Sequence, residues 1–116
     1  MPILDKGDSP KEDLAPGVGR WRLLDSETGA EALTVADLTL TAESSVQTHI
    51  HPTEEAMVIL EGELEAVLGD DVITVTAGQT VHAPAGVKHG FSNRSGHSAR
   101  LLAIFPTARM ERTPVD

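Results

Sequence analysis

Residues 48–62, T-H-I-H-P-T-E-E-A-M-V-I-L-E-G, decide how the rest of the chain is read. His49 and His51 stand two positions apart, so an extended strand presents both imidazoles on one face. Three residues separate His51 from Glu55, and six separate Glu55 from Gly62. A second stretch, residues 78–93, answers the first with G-Q-T-V-H-A-P-A-G-V-K-H-G-F-S-N, in which His89 follows the turn residues Pro84 and Gly86. Three histidines and a carboxylate make a suitable first shell for a divalent transition metal.

Working outward, the chain reads as short strands separated by turn signals. Residues 33–41, L-T-V-A-D-L-T-L-T, are rich in β-branched side chains. Residues 20–24 alternate, with Arg20 and Arg22 on one face and Trp21 and Leu23 on the other. Further strands are expected at 55–60, 63–68, 72–75, 80–83, 89–93 and 100–105, with Gly69-Asp70-Asp71 as a hairpin turn. No helical period stands out, and the pattern is that of an all-β barrel or sandwich.

The two histidine stretches resemble the cupin superfamily, whose motifs are G-x5-H-x-H-x3/4-E-x6-G and G-x5-P-x-G-x2-H-x3-N. The first is met at His49, His51, Glu55 and Gly62, and the second at Gly78, Pro84, Gly86, His89 and Asn93. One position departs, because the leading glycine of the first motif falls on Glu43, which puts a turn conformation in question but no ligand. The resemblance implies an all-β, antiparallel jelly-roll barrel in a single domain. Its expected organisation is an extended N-terminal arm at 1–19, the barrel at 20–106 and a polar C-terminal tail at 107–116. The resemblance also implies metal ligation by His49, His51, Glu55 and His89, with Glu54 as the alternative carboxylate that spacing and strand parity disfavour.

With those ligands, parity turns Met57, Ile59 and Phe91 inward, and Asn93 is expected to bond backbone near its strand end. The donor set suits one ion of Fe, Mn, Ni, Co, Cu or Zn and disfavours the all-oxygen sites of calcium or magnesium. Six-coordinate geometry would leave two positions for water, a chelating substrate, or substrate and dioxygen.

Composition narrows the function classes. The net charge of -9 lacks the basic surface that nucleic acid or an anionic membrane requires. With no cysteine, disulfides, thiolate ligands and thiol nucleophiles are excluded, and with no tyrosine the chain cannot work as tyrosine-dependent cupin lyases do. Residues 1–20 hold four acidic side chains and no apolar run, so no signal peptide and a cytoplasmic location are expected.

Proton transfer would fall to a metal-bound hydroxide, Glu55 or His82. Solvent or subunit contact is the simpler expectation for His82, and a solvated loop for His97. Acidic neighbours explain Arg20 and Arg22, and core filling explains Met57.

A three-His, one-Glu set resembles the quercetin-dioxygenase-like and germin-like branches. It implies a metal-dependent dioxygenase acting on a small carbonyl, enol or polyol compound, with catalytic residues unassigned. A sugar isomerase or epimerase, a non-catalytic small-ligand binder, and a metal that only stiffens the barrel are the rivals. The small members of the family imply a homodimer.

Overall fold

The computed structural model describes residues 2–115. Met1 and Asp116, the ends of the expected arm and tail, lie outside the described residues. Among the described residues, eleven strands form two antiparallel sheets. The first has the order β1 (Lys11–Ala15), β2 (Val18–Leu24), β3 (Thr34–Leu40), β10 (Ala99–Phe105), β5 (Glu55–Glu61) and β8 (Thr80–Ala83). The second runs β11 (Thr113–Pro114), β4 (Ser45–Ile50), β9 (His89–Ser92), β6 (Glu63–Leu68) and β7 (Asp71–Thr76). Two facing antiparallel sheets with crossovers between them are what the jelly-roll expectation requires.

Alternation explains which face packs. In β10, Ala99, Leu101, Ala103 and Phe105 are buried while the residues between them are half-buried. β5 buries Glu55, Met57 and Ile59 with the expected parity. The apolar side chains among these meet Val46, Leu64, Ala66 and Phe91 of the second sheet in one core cluster. Each fully buried aliphatic there contributes about 1.5–3 kcal/mol relative to an exposed one. No helix among the described residues is long and apolar enough to cross a membrane.

Two elements were not legible in the periodicity. β1, K-E-D-L-A, is mostly polar, yet it pairs with β2 and ties Glu12 to Arg20 at 2.7 Å. β11 is two residues long, and its pairing with β4 lays residues 110–115 beside the site strands.

The Glu43 question has a clear answer. Glu43 adopts φ 65°, the left-handed conformation that the family's glycine would supply, and it is exposed. Its N–H donates to Asn93 C=O at 2.8 Å, so the turn is held from outside. A left-handed L-residue costs roughly 1–2 kcal/mol, while glycine gives back part of that in chain entropy. Glu43→Gly should therefore raise stability by about 0.5–1 kcal/mol, read as a higher urea midpoint at unchanged slope. A lower midpoint would show that the Glu43 side chain holds the turn.

Candidate metal centre

A β-bulge builds the first half of the site. Val46 pairs with Phe91 and His49 with His89, so Gln47 and Thr48 together oppose Gly90. Strict alternation from buried Val46 would turn Thr48 and Ile50 inward. The extra residue resets the parity, and His49 and His51 face the interior instead.

Pro84 and Gly86 shape the second half. Gly86 has φ 76°, a left-handed conformation that glycine adopts without strain, and its N–H donates to His51 C=O at 2.9 Å. This bond ties the turn of the second motif directly to the second histidine of the first.

The four expected residues come together. His49, His51, Glu55 and His89 are all buried, and one ligand atom from each lies within 4.8 Å of the others. The three rings stand 4.4–5.3 Å apart between centroids, and Phe105 packs edge-on against His51 at 4.8 Å.

Each imidazole Nδ1 faces a backbone carbonyl: Gln47 for His49 at 2.7 Å, Glu111 for His51, and Val87 for His89 at 3.0 Å. A carbonyl only accepts, so each Nδ1 carries the proton, and each neutral ring presents an Nε2 lone pair. The Gln47 carbonyl belongs to the bulge itself, so one irregularity both aims His49 and sets its tautomer.

The donor set fits a metal ion by its own chemistry. Glu55 Oε1 lies 2.7 Å from His89 Nε2 and 3.3 Å from His51 Nε2. The second contact is too poorly aligned to be a hydrogen bond, and His51 Nε2 is a buried nitrogen with no hydrogen-bond partner. Acceptors crowded this way need a positive charge among them, supplied by a proton or a cation.

The pKa directions agree. Burial pushes His49 down to about 4, against the pull of the Gln47 carbonyl. Burial also works against charge on His89, but its bonds to Glu55 and Val87 win and raise it above 6.5. Burial would lift Glu55, yet the two imidazoles hold it below the usual carboxylate value. A proton on His89 is therefore what a cation must displace.

The four side chains lie along a cavity of about 330 Å³. Its walls include Leu38, Met57, Phe91, Leu101 and Phe105, so most of the enclosure is apolar. Arg20 and Arg22 also line it, bonded to Glu12, Asp25 and Glu27 at 2.7–3.1 Å, the acidic neighbours that explain them. His82 is elsewhere: it is exposed and bonds Glu54 at 2.8 Å, which removes both from the site. Asn93 bonds the carbonyls of Leu40 and His97 as expected, and serves the frame.

The tail contributes what motif reading missed. Glu111 bonds the His51 ring through its carbonyl, and Met110 and Arg112 line the cavity. The one cue in the sequence was parity, because Met110 and Arg112 share a face of an otherwise polar segment.

Comparison with known proteins places this geometry in context. A family model described as the cupin domain matches residues 37–105. No curated protein sequence matches the chain. Among solved structures, the polyketide cyclase RemF from Streptomyces resistomycificus is similar, with TM-score 0.85 and 24% identity over 100% of this chain and 86% of that one. A predicted oxalate decarboxylase from Thermotoga maritima gives TM-score 0.79 and 23% identity, covering 90% of this chain and 98% of that one. KdgF from Halomonas sp. gives 0.75 and 16%, covering 91% and 94%. At these identities the likeness establishes the fold.

Proposed function

This chain belongs to the cupin domain family, and from that premise we propose that it is a metal-dependent enzyme, dioxygenase-like, acting on a small carbonyl or enol compound. The observation that carries the reading is the convergence of three tautomer-locked Nε2 atoms and Glu55 in an apolar cavity. His49, His51, Glu55 and His89 would hold one divalent transition metal. Such an ion supplies Lewis acidity toward a carbonyl or enol oxygen and, if redox-active, electron transfer with dioxygen.

The chain's own residues do the rest. The carbonyls of Gln47, Glu111 and Val87 hold the rings in place, and the apolar walls exclude water and strengthen every charge interaction inside. With His82 outside, Glu55 is the cavity carboxylate placed to take a substrate proton. Glu12, Asp25 and Glu27 are engaged by arginines.

The walls discriminate between substrate classes. A sugar presents hydroxyls on every side and is best matched by polar groups all round, whereas most of the exposed wall of this cavity is apolar and several of its charged groups are already paired with one another. A carbonyl or enol compound with an apolar body matches both its polar site and its walls. A polyketide cyclase of the same fold keeps an oxygen-independent ring closure as the second reading. A cytoplasmic homodimer is part of the proposal, with exposed Val72 and Ile73 on edge strand β7 available for contact.

The test is elemental analysis of protein purified without chelator, followed by oxygen uptake on small 1,3-diketones and enols. About one metal per chain is expected, with dioxygen consumed as substrate disappears. Turnover undiminished under argon would favour the cyclase reading. Tight binding with the ligand returned unchanged would make the protein a binder.

A further inference from the structure

We propose that the C-terminal tail is part of the substrate site and that Arg112 anchors an anionic group, so that the cavity takes a small apolar carboxylate bearing a carbonyl or enol oxygen. The inference rests on the metal-site reading above and names the substrate class of that same site.

The tail is fixed to the ligand strand at several points. Thr113 and Pro114 pair with Ile50 and His49, and the Val115 N–H donates to Thr48 C=O at 3.0 Å. With the Glu111 carbonyl on the His51 ring, the backbone on both sides of Arg112 is tied to residues of the site. Arg112 lines the cavity that His49, Glu55 and His89 also line.

Charge bookkeeping singles it out. Of the cavity arginines, Arg20 and Arg22 already have carboxylate partners. Arg109 is exposed and needs none. Arg112 is half-buried and has no acidic partner within ion-pair distance among the described residues. Burial and the field of Arg20 both work against its charge, while Glu55 favours it. The guanidinium nonetheless stays ionised at neutral pH. A desolvated cation without a counter-charge is unfavourable, and an anion on the ligand removes that cost.

Arg112 is close enough to depress both His49 and His89. A group held by it would lie in the same cavity as those two imidazoles, where a neighbouring oxygen of the same compound would reach a metal held there. A divalent ion with Glu55 alone as its charged ligand leaves a surplus of one positive charge, and Arg112 adds another. The cavity is then locally cationic inside a chain of net charge -9. At about 330 Å³, it lies at the small end of ligand sites.

Phenylpyruvate and its methyl ester are suitable probes, since they differ in charge and share an apolar body. Titration calorimetry would follow both with wild type, Arg112→Gln and Arg112→Lys, with metal content measured on each sample. Metal itself favours the acid, so the deciding readout is the change on substitution. Arg112→Gln should weaken the acid about tenfold or more and leave the ester unchanged. Arg112→Lys should fall between, because it keeps the charge without the fork. Added salt should weaken the acid more in wild type than in Arg112→Gln.

Equal effects on acid and ester, or no effect on either, would overturn the anchor. Protein that holds no metal yet still separates acid from ester through Arg112 would keep the anchor and remove the metal reading. Failure to separate them, with or without metal, removes the anchor.

Discussion

His89→Ala should abolish metal retention, with less than a tenth of the wild-type content after dialysis, and with it any metal-dependent turnover. Loss of a residue that merely orients a ligand costs about 10–100-fold in affinity, so loss of one of four ligands must cost more. His82→Ala is the matched control. It removes the same imidazole from an exposed pair with Glu54 and should leave metal content unchanged.

Acidification should reproduce the loss reversibly, and the sign follows from the folded pKa directions. His89, raised above 6.5, protonates first as pH falls, whereas His49, held near 4, stays neutral until well below. Metal binding then displaces about one proton, and apparent affinity should drop about tenfold per pH unit below the His89 titration. Full occupancy at pH 4 would contradict ligation by all three histidines.

Thermal melts separate catalytic from structural use of the ion. Metal at about 1,000 times its dissociation constant adds about 4 kcal/mol. If the loaded wild type and metal-free His89→Ala melt together, a purely stiffening role is ruled out.

The clustering of His49, His51, Glu55 and His89 was legible because these residues are written at fixed spacing, and parity then placed Met57, Ile59 and Phe91 in the core. The way His49 comes to face inward was not legible. From buried Val46, alternation alone points the wrong residues at the cavity, and only the bulge across from Gly90 corrects it. A bulge leaves no periodic trace, since it is itself a break in the period.

Glu43 shows the converse case. A missing glycine suggested a changed turn, yet the backbone kept φ 65° and accepted the strain. The tail lay beyond sequence reasoning for a third reason. β11 is two residues long, and what it supplies to His51 is a main-chain carbonyl that any residue possesses. Arg20 and Arg22 were matched correctly to acidic neighbours, but nothing local says that their strand borders a cavity.

Gly90→Ala should damage the site without touching a ligand. A Cβ at position 90 would stand 2.8 Å from Val46 O, 3.1 Å from Thr48 Cα and 3.1 Å from Thr48 N. All three atoms are backbone of the bulged strand, so no rotamer change relieves the contact. Glycine is needed here for space.

The strain can be relieved only by moving β4 away from β9 or by flattening the bulge. Either change alters the His49–His89 pairing and the Gln47 carbonyl that fixes the His49 tautomer. Overpacking of a close-packed interior costs about 1–3 kcal/mol, and the chain-entropy gain of Gly→Ala returns about 0.4–1. A net loss of about 1–2 kcal/mol is expected in urea. Metal affinity should fall about 10–100-fold, as for a displaced orienting group.

The two readouts together locate the effect. Stability lost with affinity intact would mean that the strands separate away from the ligands. Affinity lost beyond what destabilisation explains would show that the bulge aims His49. If Gly90→Ala matches wild type in both, the β4 backbone yields at no cost, and the bulge is not what holds the metal geometry.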